Sequence, residues 1–347
     1  MDYRYLGSSG TPVSALGLGT MTFGAETDET GAHAQLDRFV EAGGTFIDTA
    51  DVYSQGTSEE IIGRWLAGSG KRHSIVLATK ARFPMGGDPL DRGAGRRHLR
   101  RALHASLERL GTDDVDLYQV HGWDPNTPLG ETLQTLDEFV SQGLVAHVGW
   151  SNVTGWQMQR IVDRCDMNGW ERPVTLQPQY NLLDRGIELE VMPMCLEEDI
   201  GILPWSPLGG GWLTGKYTRD TRPTGETRLG EDPERGVEAY DARNTERTWR
   251  VLSAMERIAT YRGVSFAQVA LAWVRQRPGI SSVILGARTV EQLEDNLASA
   301  EVVLSTEEMT TLTAISAPGL PPYPYGVVRS ICGSSAWDAL GTVEMEA

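Results

Sequence analysis

The sequence predicts a closed parallel α/β barrel with an N-terminal β-hairpin and long loops on its C-terminal rim. Three observations predict it. Eight short apolar runs recur along the 347 residues, a helix-patterned stretch follows each, and no G-x-G-x-x-G follows the first run. A doubly wound sheet is the alternative architecture, and the missing glycine fingerprint counts against it. The repeat of roughly 30 to 40 residues is that of a βα unit, so it implies no solenoid.

The elements follow in order. Tyr3 to Leu6, the polar Ser8-Ser9-Gly10-Thr11 and then Val13 read as a β-hairpin. Strands are expected at 14–20, 45–50, 75–80, 115–121, 146–152, 174–180, 201–206 and 282–286. Helices are expected near 29–43, 57–68, 95–110, 129–142, 154–168, 186–199, 245–276, 289–299 and 305–315. Three segments exceed ordinary connections: 81–94, 208–244 and 317–347. The polar stretch 219–244 is expected to be the most mobile. The tail Gly319-Leu320-Pro321-Pro322-Tyr323-Pro324-Tyr325 is stiff and aromatic, suited to wrapping over the barrel mouth. The chain therefore reads as one domain, 1–347, with a barrel over 1–316 and a tail over 317–347.

Composition narrows the function. A 40% hydrophobic share supplies a sizeable core, and the net charge of −16 argues against nucleic acid or an anionic membrane as partner. Cys165, Cys195 and Cys332 are odd in number and lack metal-ligand spacing, so they read as free thiols in a reducing compartment. Met1-Asp2-Tyr3-Arg4-Tyr5-Leu6 does not read as a signal peptide, and no run of about 18 apolar residues suits a bilayer. The expected location is the cytoplasm.

Four residues carry the chemistry. Asp48 closes Thr45-Phe46-Ile47-Asp48, and Tyr53 follows five residues on. Lys80 closes Ile75-Val76-Leu77-Ala78-Thr79-Lys80, and His121 closes Val115-Asp116-Leu117-Tyr118-Gln119-Val120-His121. In a parallel barrel the C-terminal strand ends converge on one rim, so the four side chains can meet. A tyrosine hydroxyl has a reference pKa of about 10, and a neighbouring ammonium lowers it. A carboxylate keeps the ammonium charged, and a neutral imidazole can hydrogen-bond a carbonyl oxygen. Asp48, Tyr53, Lys80 and His121 thus form a general-acid system aimed at a carbonyl under reduction. Loss of Asp48 is expected to be milder than loss of Lys80, on the view that water reaches the ammonium. Lysine and tyrosine are foreign to zinc ligand sets, so no metal is expected. Each residue alone would read as an ordinary charge or core group; the other histidines, His33, His73, His98, His104 and His147, read as helix or surface residues.

Taken with these residues, longer signatures resemble the aldo-keto reductases. They are Gly43-Gly44-Thr45-Phe46-Ile47-Asp48-Thr49-Ala50-Asp51-Val52-Tyr53, Thr79-Lys80, Asp116-Leu117-Tyr118-Gln119-Val120-His121 and Gly149-Trp150-Ser151-Asn152. Further on come Gln177-Pro178-Gln179-Tyr180-Asn181-Leu182-Leu183, Trp205-Ser206-Pro207-Leu208 and Gly286-Ala287-Arg288. The resemblance spans about 1–316 and implies an eight-stranded barrel. It implies a tetrad of Asp48, Tyr53, Lys80 and His121 with Tyr53 as proton donor. It implies that Ser151, Asn152 and Gln177 hold a nicotinamide carboxamide and that Trp205 stacks on the ring, where the family often has Tyr. Ser206, Leu208, Gly210 and Lys216 fall in the pyrophosphate segment; Gly286, Arg288, Gln292 and Asn296 fall in that of the 2′-phosphate and adenine.

The last assignment also has a physical ground. Gly286-Ala287-Arg288 ends a strand and opens a helix at Thr289-Val290-Glu291-Gln292, and a helix N-terminus beside an arginine suits a phosphate. The guanidinium favours NADP over NAD. Gly210-Gly211-Trp212-Leu213-Thr214-Gly215-Lys216-Tyr217 nearly matches a phosphate loop, but Tyr217 stands where the magnesium-binding hydroxyl residue belongs. Met21, Phe23, Trp123 and Tyr325 are the expected lining of a substrate pocket, whereas Trp150 and Trp156 read as packing residues. The expected function is NADPH-dependent reduction of an aldehyde or ketone. The alternative, also implied by the resemblance, is an NADP-binding regulatory subunit of the potassium-channel β type.

Overall fold

The computed structural model describes residues 1–225, 227–232, 234, 238–319 and 321–332. Tail positions Leu320 and 333–347 and the Cys332 thiol, all included in the expectations above, lie outside the described residues. Strands β1 (Tyr3–Tyr5) and β2 (Pro12–Ser14) pair antiparallel as the expected hairpin, Tyr3 opposite Ser14. The remaining strands are β3 (Leu16–Gly19), β4 (Phe46–Asp48), β5 (Val76–Ala81), β6 (Val115–Val120), β7 (Val145–Ser151), β8 (Thr175–Gln177), β9 (Gly201–Ile202) and β10 (Val283–Leu285). They form an eight-stranded parallel sheet in the order β10-β3-β4-β5-β6-β7-β8-β9. The ring closes between its ends: Ser281 N donates to Ile202 O and Ile284 N to Pro204 O, each at 3.0 Å.

Helices intervene as α1 (Glu29–Glu41), α2 (Thr57–Ser69), α3 (Arg96–Leu110), α4 (Leu129–Ser141), α5 (Gly155–Asn168) and α6 (Val191–Glu197). Between β9 and β10 come α7 (Arg228–Glu231), α8 (Tyr240–Arg243), α9 (Glu246–Arg262) and α10 (Phe266–Arg275); α11 (Val290–Ala298), α12 (Thr306–Ile315) and α13 (Val327–Cys332) follow. The helix starts obey local capping chemistry: the side chains of Asp28, Thr245, Ser265, Thr289 and Ser305 each accept a first-turn N–H. One expectation fails here. The stretch 245–276 is two helices, not one, because Gly263 takes φ +67° and ends α9 while Ser265 starts α10.

Alternation along the strands sorts the core in two. Leu6, Val13, Phe46, Val76, Ala78, Leu117, Val174, Leu203 and Ile284 fill the barrel interior, with the hairpin residues Leu6 and Val13 at its floor. The intervening strand residues, such as Ile47, Leu77, Tyr118 and Leu176, belong to a second cluster shared with the helices. The eight barrel strands bury both faces over most of their length, which is why they read as largely apolar runs. The same period of two carries interior positions up to the rim: Phe46 leads to Asp48, Ala78 to Lys80, and Leu117 through Gln119 to His121.

Some smaller expectations change. His147 lies on β7, half-buried, with Nε2 2.8 Å from Thr11 Oγ1, so it is a strand residue rather than a helix one. Trp150 is buried as expected, but Trp156 is 55% exposed at the start of α5. The long segment 208–244 is anchored by aromatic packing of Trp212 against Tyr217, Tyr240 and Trp249. Among the described residues, no helix is long and apolar enough to cross a membrane.

Candidate active site

A cavity of about 620 Å³ opens at the C-terminal rim. Asp48, Tyr53 and His121 line one part of it, and Lys80 is completely buried beneath. Lys80 Nζ donates to Asp48 Oδ2 at 2.6 Å and to the Thr49 carbonyl at 2.8 Å, and lies 5.1 Å from the centre of the Tyr53 ring. The Tyr53 and His121 rings meet edge-on with centroids 5.9 Å apart. Asp48 Oδ1 accepts from Gln177 Nε2 at 2.8 Å and from Gln119 Nε2 at 3.2 Å. The four residues expected to meet at strand ends are therefore adjacent.

Their electrostatics differ from the simple expectation. Burial raises the Tyr53 phenol above its ordinary value; Lys80 pulls it down and Asp48 pushes it up, and the net is upward. The ammonium lowers the phenol as expected, but desolvation of a phenolate outweighs one nearby cation. Burial also works against the charged Lys80, yet Asp48 and Tyr53 outweigh it and hold its pKa above the usual lysine range. His121 is pushed well below the ordinary imidazole value by burial and by the cations Lys80 and Arg82, so its ring is neutral near pH 7. Its Nδ1 is buried with no hydrogen-bond partner among the described residues.

The rest of the cavity wall carries the expected cofactor residues: Ser151, Asn152, Gln177, Trp205, Ser206, Leu208, Gly210, Lys216, Gly286, Arg288, Gln292 and Asn296 all line it. Ser151 Oγ donates to the Gln177 carbonyl at 2.8 Å, Asn152 Nδ2 to the His121 carbonyl at 3.1 Å, and Trp205 Nε1 to Asn152 Oδ1 at 3.1 Å. Asn152 and Ser206 both take positive φ, 54° and 50°, a strained conformation typical of functional turns. At the far end Arg288 N donates to Gln292 Oε1 at 2.9 Å, and Asn296 Nδ2 to the Gly286 carbonyl at 3.2 Å. The resulting wall presents amide, hydroxyl, ammonium and guanidinium groups along one elongated cleft. That donor set fits a dinucleotide, and the volume lies within the usual range of ligand pockets. The described residues contain no group of three or more His, Cys, Asp or Glu able to hold a metal.

The expected substrate pocket fares differently. Met21 lines the cavity and is 37% exposed. Phe23 does not: its side chain turns inward into the helix-facing core and is fully buried. Trp123 packs edge-on against Trp156 outside the cavity lining. Tyr325 is likewise absent from the lining, because its hydroxyl is tied to Glu190 Oε1 at 2.7 Å. Residues that sequence reasoning missed include Gln119, which shares the inner face of β6 with His121. Phe83 was also missed, its ring 4.6 Å from that of His121, as were the cavity residues Glu26, Thr227 and Asp295. Alternation from His121 back to Gln119 was a readable signal; the loop residues carried none.

Comparison with known proteins agrees with this geometry. The family model "Aldo/keto reductase family" matches residues 15–317. The chain is 35% identical to "Protein tas" of Escherichia coli (strain K12), over 91% of this chain and 97% of that one. It is 37% identical to "Uncharacterized oxidoreductase YrpG" of Bacillus subtilis (strain 168), over 91% and 96%. It is also 34% identical to "Probable voltage-gated potassium channel subunit beta" of Oryza sativa subsp. japonica, over 91% and 96%. The chain belongs to the aldo/keto reductase family and is an oxidoreductase.

Proposed function

We propose that the protein is an NADPH-dependent carbonyl reductase, converting a small aldehyde or ketone to an alcohol with Tyr53 as general acid. The observation that carries this reading is the single cavity that joins Asp48, Tyr53 and His121 to Arg288 and its neighbours. The bound nicotinamide would supply the hydride. Tyr53 would give its phenolic proton to the carbonyl oxygen as charge develops there. Lys80, held charged by Asp48, stabilises the phenolate left behind. Neutral His121 donates a hydrogen bond to the same oxygen and so orients the substrate. Gln119 and Gln177 fix Asp48, and the amide oxygen of Gln177 is then the group left for the carboxamide N–H. Ser151, Asn152 and Trp205 complete the nicotinamide wall, and Ser206, Leu208, Gly210 and Lys216 line the pyrophosphate path. Gly286, Arg288, Gln292 and Asn296 receive the 2′-phosphate and adenine. Met21 lines the substrate side.

We assign the barrel to 1–316, treat 317–347 as an appendage, and place the protein in the cytoplasm. Cys165 and Cys195 are free and buried, which suits a reducing compartment. A second reading, a nicotinamide-binding subunit of a channel assembly, is favoured by relatives such as the rice protein, whose name is that of a channel subunit. Steady-state NADPH oxidation with a panel of aldehydes and ketones, without any partner protein, separates the two. Turnover supports the reductase, and tight cofactor binding without turnover of any carbonyl supports the subunit.

A further inference from the structure

The chain's own carboxylates already hold the part of the cavity wall that faces the cofactor phosphates. Arg288 donates from Nη1 and Nη2 to the two oxygens of Glu231, at 2.9 and 2.7 Å, and its Nη2 lies 3.5 Å from Glu26. Further along the cleft, Ser206 Oγ donates to Glu238. Gly210 lets that carboxylate come close: a Cβ placed on Gly210 would lie 2.5 Å from Glu238 Oε2, and its φ is +65°. Glu238 is 3% exposed. Both glutamates belong to the one segment between β9 and α9, and each sits on a residue that the cofactor reading assigns to a phosphate.

We propose that Glu231 and Glu238 stand in for two phosphate groups in the free protein and thereby set cofactor affinity and choice. Glu231 holds the place of the 2′-phosphate on Arg288; Glu238 holds the place of the pyrophosphate beside Ser206 and Gly210. The inference rests on the reading of Arg288, Ser206 and Gly210 as cofactor contacts. Carboxylate and phosphate oxygens accept from guanidinium and hydroxyl groups in the same way. A phosphate monoester carries about −1.5 to −2 charges against −1, so it wins the exchange on Arg288. The measured affinity is then the difference between two charge-assisted contacts.

The two glutamates act on different cofactors. The 2′-phosphate occurs in NADPH alone, whereas the pyrophosphate occurs in both NADPH and NADH. Glu231→Gln should therefore tighten NADPH and leave NADH unchanged, and Glu238→Gln should tighten both. The sizes also differ. The side chains of Arg288 and Glu231 are 21% and 44% exposed, so water screens the pair and the gain is about two- to fivefold. Glu238 is buried, and the gain is about tenfold.

The test is fluorescence titration of NADPH and NADH against the wild type, Glu231→Gln, Glu238→Gln, Glu238→Asp and Arg288→Ala, with thermal melts confirming folding. The aspartate, one methylene shorter, withdraws from Ser206 and should also tighten both cofactors, so a misfolded Glu238→Gln leaves that half testable. Unchanged or weakened NADPH binding by Glu231→Gln, with Arg288→Ala still weakening NADPH, overturns the exchange at Arg288 and leaves the cofactor reading intact. Failure of both Glu238 variants to tighten NADH overturns the exchange at Ser206. Arg288→Ala without effect on NADPH overturns the cofactor reading, and the Glu231 exchange falls with it.

Discussion

Lys80 points its ammonium at Asp48 Oδ2 from 2.6 Å, and neither side chain is more than 2% exposed. Asp48 spends its second oxygen on the amides of Gln119 and Gln177, while Lys80 has the Thr49 carbonyl and the Tyr53 hydroxyl besides Asp48. The supports differ in kind, amide donors on Asp48 and neutral oxygens on Lys80, so removing one is not equivalent to removing the other.

Asp48→Asn leaves a buried ammonium with only neutral oxygens around it. The expectation of a mild effect assumed water at Lys80, and its complete burial removes that premise. Breaking a buried pair from one side costs about 3–5 kcal/mol. Lys80→Met leaves Asp48 with two amide donors and should cost less stability, while removing the cation next to Tyr53. Urea denaturation should rank Asp48→Asn as the less stable variant, and both should lose most of their carbonyl reduction. The reverse stability order would refute this account of the pair.

Tyr53→Phe should lower kcat by about 10²–10⁴ while NADPH still binds, since only the proton donor is lost. Because burial raises the phenol in the free protein, Tyr53 stays protonated through neutral and mildly alkaline pH. Neutral His121 adds no ionisation near pH 7. The kcat/KM profile for reduction should show no loss from either group between about pH 7 and 9. A variant retaining more than a tenth of wild-type kcat, with chemistry rate-limiting, would remove Tyr53 from the role of acid.

Asp51 supplies a stability test away from the cavity. It is fully buried, and among the described residues neither carboxylate oxygen has a side-chain hydrogen-bond partner. Burial, then the nearby Glu59, pushes its pKa from 3.8 up to about 7; the Val52 backbone N–H, then Arg109 and Lys80, oppose them. The folded value exceeds the unfolded one, so the stabilising contribution is fully present below about pH 4 and is lost as pH rises to about 7. The loss amounts to roughly 4 kcal/mol, from about 1.36 kcal/mol per pKa unit. Asp51→Asn should therefore raise the Tm at pH 8 and have little effect on it at pH 4. Thermal melts across that range decide it; an Asp51→Asn gain equal at both pH values would contradict it.

The barrel strands were legible in the sequence because burial on both faces over most of their length makes them largely apolar runs. The rim residues were legible because Asp48, Lys80 and His121 interrupt such runs with charge or imidazole. Gln119 was equally legible by alternation, two residues before His121, but an amide within an apolar strand draws less attention than a charge. The break in 245–276 turned on a single left-handed glycine, Gly263, followed closely by the cap Ser265. Phe23 and Tyr325 lie in non-periodic segments, where composition does not say which way a ring turns; one went into the core and the other to Glu190. The contacts of Glu231 and Glu238 were hidden for the same reason, since they join loops to strand ends far away in sequence.

In the proposed cofactor reading Arg288 separates NADPH from NADH, and its ion pairs change the size of the expected effect. A charge-assisted hydrogen bond contributes roughly 1.5–3 kcal/mol, which corresponds to about 10- to 150-fold in affinity. That range applies to a guanidinium that waits unengaged for its phosphate. Arg288 is engaged by Glu231 and Glu26, so the 2′-phosphate replaces existing contacts rather than adding new ones. Arg288→Ala also leaves Glu26 and Glu231 facing the incoming phosphate without a cation between them, which adds repulsion to the lost contact. These corrections oppose each other, and the partial exposure of the pair keeps both small. The expected outcome is NADPH binding weakened about tenfold or somewhat more, with NADH changed less than twofold. Fluorescence titration of both cofactors is the measurement. Equal weakening of NADH and NADPH would show that Arg288 supports the adenine or the fold, and the preference for NADPH would lose its physical ground.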